Sequence, residues 1–261
     1  MNPMNRLKGG RPIGGKPPQP PGPAPSYPIT RHSPTMLLSP AFFDRDARVV
    51  ARALLGKVLR HRVVDPEFGE YWLAARIIET EAYYRREAGS HSSLGYTDKR
   101  RALFMPAGTI YMYYAHGSGS LNFSARGAGN AVLMKSGRPW FDPISPRDPC
   151  LSIMQRFNPR GNQVRDEGKL CAGQTLLCRA LGLKLTEWNQ QTPDPARFYV
   201  ADLGHRPPAI VQCRRLGIPE GRDEHLMYRF VDAGECMHCT SNPLTRRDWR
   251  EGHDYVMTRR P

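Results

Sequence analysis

The chain has 261 residues, a length that allows one large domain or two small ones with a sizeable core. Lys and Arg outnumber Asp and Glu by 38 to 24, and the resulting formal charge of +14 favours a polyanionic partner such as nucleic acid or anionic lipid. No run of about 18 apolar residues could span a bilayer, and the start does not resemble a secretory signal, so we expect an intracellular protein. Six cysteines are too few for a disulfide scaffold, and we expect them to be reduced.

The first segment, residues 1–35, contains ten prolines, five glycines and five Lys or Arg, but no acidic residue. A segment of this composition cannot build a core, so we predict a disordered basic tail that raises the local concentration of DNA or a partner. A targeting peptide is the alternative, although ten prolines would disrupt the amphipathic helix that such peptides use.

The remaining sequence predicts one mixed α+β domain over residues 36–234, followed by a basic C-terminal extension over 235–261. The order of elements is not strictly alternating, which favours a curved, largely antiparallel sheet with surrounding helices. Helical patterns cover 39–56, where Ser39 can cap and Pro40 suits the first turn, and 173–183. Strand patterns cover 57–64, 71–83, 109–114, 121–134 and 225–233.

The strand predicted at 71–83 runs into the sequence RIIETEAYY, which places two glutamates before two tyrosines. If side chains alternate strictly, one face of the strand carries Leu73, Ala75, Ile77, Glu79, Glu81 and Tyr83. Along that face the side chains would change from apolar core residues to polar residues that could take part in catalysis. The alternative is a strand that leaves the core and ends in two solvated glutamates.

A projecting hairpin is predicted for GTIYMYYAHGSGSLNFS, residues 108–124. Tyr111 and Tyr113 share one face, residues 117–120 form the reversal, and the return strand continues through 134. Tyrosines on strands usually serve ordinary packing. In a basic protein, however, aromatic side chains and a carboxylate near a hairpin also suit an enzyme that extrudes a base from duplex DNA and attacks its sugar with activated water.

Several separated motifs make this possibility specific. The sequences RIIETEAY, AGSHSS, FMPAGTIYMYYAHG, LNFS, GNAVLMK and LCAGQTLLCRALGL follow in the order and approximate spacing of the 3-methyladenine (alkyladenine) DNA glycosylase family. The similarity covers roughly residues 38–232. The chain therefore resembles monofunctional enzymes that remove damaged purines in base excision repair of double-stranded DNA.

The resemblance implies a role for each matching residue. Glu81 matches the general base that activates water, and Tyr83 and His91 match two walls of the base pocket. Tyr113 matches the opposing aromatic face, and Asn122 a floor residue whose amide crowds the exocyclic amine of normal guanine. We also expect Tyr111 to support the pocket. The Glu81 carboxylate should face the cleft, and its burial in a salt link would count against this role.

DNA-binding residues follow from the same resemblance. Lys135 lies where the family often has an arginine near the DNA backbone, so the charge is kept but bidentate phosphate geometry is not. At the hairpin tip, where the family commonly has a tyrosine wedge, this chain has His116 and is one residue shorter. Either His116 or Leu121 is therefore our candidate for the wedge. We expect it to stabilise the flipped state of the base less than a tyrosine would.

We expect hydrolysis without a metal, cofactor or lysine nucleophile, carried out by a monomer. No lysine lies between Glu81 and His91. Cys236, His238 and Cys239 form half of a zinc pattern, but no regular second pair follows. Two alternatives to a glycosylase are a non-catalytic binder of distorted or damaged DNA and an RNA-binding module.

Overall fold

A computed structural model describes residues 37–115 and 117–259. The tail predicted for 1–35, together with His116, lies outside the described residues. The α-helices are α1 Pro40–Phe43, α2 Ala47–Leu54, α3 Arg147–Phe157, α4 Gln174–Ala180 and α5 Leu185–Trp188. The 3₁₀ helices are His91–Leu94, Asp98–Phe104, Glu167–Lys169, Ala233–His238 and Pro243–Thr245. The strands are β1 Val58–Asp65, β2 Gly69–Tyr83, β3 Ile110–Ala115, β4 Ser118–Ser124, β5 Ala131–Pro139, β6 Phe198–Ala201, β7 Ala209–Cys213, β8 Arg229–Asp232 and β9 Tyr255–Arg259.

The strands form one open antiparallel sheet, nine strands of which lie in the described residues. Its order is β3-β4-β5-β2-β8-β7-β9, and β1 pairs with both β2 and β6. The 15-residue strand β2 pairs with β1 along its first half and with β5 and β8 further on. The predicted α+β fold with one largely antiparallel sheet is therefore confirmed.

A β-bulge in β2 overturns the predicted alternation of its side chains. The register against β5 shifts between Ile77 and Thr80. Before the bulge Ile77 lies in the main core, whereas after it Ala82 does, and the Thr80 hydroxyl donates to the carbonyl of Ala51 on α2. A bulge adds one residue that has no partner on the neighbouring strand. The odd-numbered residues after it therefore point to the opposite face of the sheet from the odd-numbered residues before it. Glu79 therefore lies on the opposite face of the sheet from Ile77.

The main core lies between the sheet and α2, α3 and α4. Helix α2 begins where the Asp46 side chain accepts from the amide of Arg48, and it buries Val50, Ala51 and Leu54 toward the sheet. The ring centroids of Phe43 and Phe123 lie 4.8 Å apart within this core. None of the helices in the described part of the chain is long and apolar enough to cross a membrane.

The C-terminal residues cover the other face of the sheet. Strand β9 pairs with β7, and Cys239 and Tyr255 join Ile78 and Val231 in a second apolar cluster. Trp249 packs against the same cluster. The segment after residue 234 is therefore in contact with the sheet at the end of β2 that carries the two glutamates.

The hairpin is formed by β3 and β4, and its turn differs from the prediction. Ala115 pairs with Ser118, and Gly117, directly before Ser118, has a φ of +78°, a conformation that favours glycine. Most of the predicted reversal belongs to β4 instead. The return strand predicted through 134 is also divided, because β4 ends at Ser124 and β5 begins at Ala131.

Candidate active site

A cavity of about 750 Å³ opens where β2, the β3–β4 hairpin, β5 and the start of α4 meet. Most of the residues predicted for the site line it. The lining includes Tyr83, His91, Tyr111, Tyr113, Asn122, Lys135, Gln174, Leu216, Arg222 and Thr240. The loop before the 3₁₀ helix His91–Leu94 and the loop after β7 complete the wall. The fold thus brings together residues that are up to 157 positions apart in the chain, from Tyr83 to Thr240.

Glu81 lies behind the cavity wall and is 0% exposed. The Tyr83 hydroxyl donates to its Oε2 at 2.6 Å, and the Leu216 amide donates to its Oε1 at 3.3 Å. The Lys135 ammonium lies 3.4 Å from the same Oε1. The interpretation of a solvated strand end is therefore wrong. The predicted free cleft-facing carboxylate is also not what the structure presents, since Glu81 is in a salt link, but all three of its partners line the cavity.

The charge state of Glu81 follows from these neighbours. Burial alone would raise the pKa of its carboxyl, but the positive charges of Lys135 and Arg229 oppose this. Together with hydrogen bonds from Tyr83 and the Leu216 amide, they hold the pKa of Glu81 below its usual value. The carboxylate is therefore ionised at neutral pH and able to accept a proton.

Tyr83 has one ring face covered from behind. The Arg215 guanidinium lies 4.5 Å from the ring centroid, and Arg215 also pairs with buried Glu87. Burial and the nearby Glu81 charge raise the pKa of Tyr83 well above its usual value, so its hydroxyl remains a donor. Because Arg215 occupies one face, a ligand can stack only on the other.

The three remaining aromatic residues of the site form one cluster. His91 Nδ1 and the Tyr111 hydroxyl are 3.1 Å apart, and the ring centroids of His91 and Tyr113 lie 4.4 Å apart in an edge contact. A base held between two rings needs about twice the 3.4 Å base spacing of DNA. His91 and Tyr113 therefore do not sandwich a purine in this arrangement. Partial burial, followed by the charges of Arg100 and Arg222, lowers the pKa of His91 and favours the neutral ring.

The other predicted residues have mixed placements. Asn122 is 5% exposed, and its amide donates to the Tyr111 carbonyl at 3.1 Å, which fixes the side chain at the cavity floor. Lys135 lines the cavity, and its ammonium lies 3.4 Å from Glu81 Oε1. Leu121 is fully buried in the main core, so a duplex cannot reach it and it cannot serve as the wedge in this conformation.

Sequence reasoning missed several residues of the site. Gln174, the first residue of α4, donates through Nε2 to the Tyr113 hydroxyl at 3.3 Å and to Ser120 Oγ at 3.0 Å. Arg229 is a fully buried guanidinium behind Glu81. A charged residue between Tyr228 and Phe230 in the strand pattern of 225–233 was the available signal for Arg229. The sequence carries no comparable signal for Gln174.

The described residues give the Cys-x-x-Cys segment no partners for a metal. Among the described residues, no cluster of three or more His, Cys, Asp or Glu side chains could hold an ion. All six cysteines are free thiols, and His238 is engaged through Nδ1 with the Gly168 carbonyl at 3.1 Å.

Comparison with known proteins identifies the family. Residues 41–236 match the methylpurine-DNA glycosylase (MPG) family. A putative 3-methyladenine DNA glycosylase of Pseudomonas aeruginosa is 61% identical over 219 residues, which cover 84% of this chain and 89% of that protein. A protein of the same name from Pseudomonas savastanoi is 61% identical over 216 residues, which cover 82% of this chain and 94% of that protein. The DNA-3-methyladenine glycosylase of Mus musculus is 38% identical over 190 residues, covering 69% and 54%. The chain thus belongs to the methylpurine-DNA glycosylase family and is a DNA glycosylase, an enzyme of DNA repair.

Proposed function

We propose that this enzyme extrudes alkylated or otherwise damaged purines from double-stranded DNA and hydrolyses their N-glycosidic bond with water activated by Glu81. The observation that carries the proposal is the setting of Glu81. Its carboxylate is ionised, and each of the three groups that hold it lies on the wall of a cavity of about 750 Å³. A flipped nucleotide would enter this cavity, with aromatic faces replacing its lost stacking partners.

In the proposed reaction, water forms a bond to the anomeric carbon of the sugar while the bond to the purine nitrogen breaks. The water proton passes to Glu81, and the bonding electrons leave with the base. An N3- or N7-alkylated purine is cationic and therefore departs as a neutral molecule. The products are a free base and an abasic site.

Water reaches Glu81 only after one of its cavity-facing partners moves, because the carboxylate is 0% exposed. Lys135 is the mobile partner in this proposal. Its side chain is 13% exposed, and a lysine carries a flexible stem with a single point charge. A DNA phosphate at the cavity mouth would attract the ammonium and uncover Oε1.

The aromatic lining supports a preference for cationic purines. Tyr83 offers one free face, and rotation of the His91 ring away from Tyr113 would open a second stacking surface. Cationic purines such as 3-methyladenine and 7-methylguanine gain cation-π attraction there. Hypoxanthine and ethenoadenine are neutral further candidates that need protonation as they leave. Asn122, held by the Tyr111 carbonyl, would crowd the exocyclic amine of normal guanine.

Lys135 also bears on the choice between hydrolysis and a Schiff-base mechanism. The short stretch from Glu81 to His91 contains no lysine, but the fold brings Lys135 from β5 to within 3.4 Å of Glu81. In this proposal Lys135 acts as the counter-ion of the Glu81 carboxylate and not as the nucleophile. Borohydride reduction during turnover should consequently trap no covalent protein–DNA adduct.

We further propose that the enzyme works as a monomer in the compartment that holds the chromosome, the bacterial nucleoid or the eukaryotic nucleus. Residues 1–35, which lie outside the described part of the chain, would increase encounters with DNA through their five basic residues.

The test is base release from two substrates, a duplex with one hypoxanthine and methylated genomic DNA. Glu81→Gln should lose release by at least about 100-fold while binding persists, because removal of a general base typically costs 10²–10⁴-fold. Glu70→Gln, at the exposed beginning of the same strand, is the matched control and should behave as the parent protein. Binding without release by the parent protein would instead support a non-catalytic binder of distorted DNA.

A further inference from the structure

A second acidic residue, Glu79, anchors a buried polar cluster behind Glu81. Arg229 Nε donates to Glu79 Oε1 at 2.6 Å, as does the Thr240 hydroxyl at 2.6 Å. The Thr240 amide donates to Oε2 at 3.0 Å, and the Ser136 hydroxyl donates to the same oxygen. Glu79 and Arg229 are both 0% exposed. Glu79 is therefore fully occupied, with donors from three different parts of the fold.

Arg229 is held through Nε and Nη2, while its buried Nη1 has no hydrogen-bond partner among the described residues. Its Nη2 donates to the Thr240 hydroxyl and to the Ser241 carbonyl, both at 2.9 Å. Arg229 is also the cross-strand partner of Glu81 in the register of β2 with β8. The guanidinium thus has a fixed position behind the carboxylate proposed as the base.

Two cations interact with the Glu81 carboxylate, and they differ in how freely their side chains can move. Lys135 lines the cavity and is partly exposed, whereas Arg229 is enclosed and hydrogen-bonded to three groups, the Glu79 carboxylate, the Thr240 hydroxyl and the Ser241 carbonyl. If Lys135 turns to a DNA phosphate, Glu81 remains a buried carboxylate that has lost one of its two cations. A buried carboxylate without a nearby positive charge takes up a proton, and a protonated Glu81 cannot act as a base.

We infer that Arg229 is a positioning residue that keeps Glu81 ionised while Lys135 is displaced, and that Thr240 fixes Arg229 in place. This inference rests on the proposed function. Thr240 follows the residues 41–236 that match the family, so a segment after that match completes the site. The segment also contributes Thr240 to the cavity wall.

The other titratable groups around Glu81 do not replace Arg229. Tyr83 on β2, Tyr113 on β3 and Cys213 on β7 all interact with the Glu81 charge, and burial raises the pKa of each, so all three are neutral. Glu79 is paired with Arg229 itself. Once Lys135 has moved, Arg229 is the other cation that lowers the pKa of Glu81, whereas Arg215, behind the Tyr83 ring, is paired with buried Glu87.

The experiment compares Glu79→Gln with the double variant Glu79→Gln/Arg229→Met in single-turnover base release across pH. Both variants lack the Glu79 charge, so their difference isolates the Arg229 charge. The acidic limb of the rate profile should stay near that of the parent protein in Glu79→Gln. In the double variant it should move upward by about one pH unit or more, since a nearby opposite charge lowers a carboxyl pKa by about 1–3 units.

A second pair of variants makes smaller changes and protects the test against loss of folding. Thr240→Val keeps the shape and the backbone donor but removes the hydroxyl that contacts Glu79 and Arg229. Its acidic limb should move in the same direction by a smaller amount, and Thr240→Ser should restore the parent profile. A merely structural role for Thr240 would reduce the amount of folded protein without moving the limb.

The outcomes separate the two proposals. If the parent protein releases no base, the proposed function is overturned. If it releases base but folded Glu79→Gln and the double variant have coincident acidic limbs, the inference about Arg229 is wrong while the function stands. A Thr240→Val profile identical to that of the parent overturns the role given to Thr240.

Discussion

The two faces of β2 are equally buried for different reasons. On the helix side, Ile77 and its neighbours are covered by apolar packing against α2 and α3. On the opposite face Glu79 and Glu81 are also 0% exposed, but Arg229, Thr240, Lys135 and the Leu216 amide provide the cover. Apolar burial stabilises a fold, whereas buried charges rarely add stability and leave a large penalty when one partner is removed. The acidic face is therefore better explained by function than by stability.

The largest expected effect separates the two glutamates of that face. Glu79→Ala should destabilise the protein by about 3–5 kcal/mol, because Arg229 would be left buried without its carboxylate. Glu81→Gln should change stability by less than about 1 kcal/mol, because an amide oxygen still accepts from Tyr83 and Lys135 can turn to solvent. Urea unfolding at pH 7 measures both.

The matched control for Glu79 is Glu79→Leu/Arg229→Met. Replacing both ions with apolar side chains should recover most of the lost stability. Equal stability losses in Glu79→Ala and Glu81→Gln would show that the two carboxylates do not differ as described.

Tyr83→Phe tests the link between the aromatic wall and the carboxylate. The variant keeps the ring but removes a hydroxyl that donates to Glu81 at 2.6 Å, a bond to a charged group worth about 1.5–3 kcal/mol. The pKa of Glu81 should rise, moving the acidic limb of base release upward. Tyr113→Phe is the control, because its hydroxyl contacts Gln174 rather than Glu81, and its limb should not move. Equal shifts in both variants would contradict the assignment.

The pH dependence of stability should report the Lys135–Glu81 pair. The pKa of Glu81 is lowered in the folded protein, so its ionisation contributes stability that is complete above the unfolded pKa and is lost as pH falls through the lower folded value. Lys135→Met should raise the folded pKa and make this acid loss shallower. Each unit of that rise lowers stability at neutral pH by about 1.4 kcal/mol.

Urea unfolding between about pH 3 and 7 measures how the free energy of unfolding changes with pH. The linkage between proton binding and folding gives the sign of this slope. Lys184→Met is the control, since Lys184 is 71% exposed and pairs with a surface glutamate. A Lys135→Met slope as steep as that of the parent protein would show that the ion pair does not hold down the pKa of Glu81.

Sequence reasoning located the parts of the fold whose patterns are long and local. Strands β1, β2 and β3 and helix α4 were predicted within a few residues, whereas the single helix predicted over 39–56 is divided into α1 and α2. The short strands β6, β7 and β9 were missed, since four or five residues carry little periodicity. Helix α3 was missed because Pro149 in its first turn and a weak apolar stripe obscure it.

The candidate site was predictable as a set of side chains but not as an arrangement. The motifs identified Glu81, Tyr83 and Asn122, which line or adjoin one cavity. The bulge that turns Glu81 away from the main core contains no glycine or proline that would indicate it in the sequence. Arg229 and Thr240 lie about 150 residues further along the chain, and only the pairing of β2 with β8 brings them behind Glu79.

The smallest expected effect concerns Gln174, which joins α4 to both strands of the hairpin. Its Nε2 contacts Tyr113 and Ser120, while its Oε1 is buried and has no hydrogen-bond partner among residues 37–115 and 117–259. Gln174→Leu removes two bonds worth about 0.5–1.5 kcal/mol each, but it also removes an unpaired carbonyl that costs about 1–3 kcal/mol. Stability should therefore stay the same or rise slightly, while base release falls by up to about tenfold because the Tyr113 ring is no longer fixed. Thr175→Val, at the next position of the cavity wall, should leave both quantities unchanged, and a Gln174→Leu variant as active as the parent protein would show that α4 does not position the hairpin face.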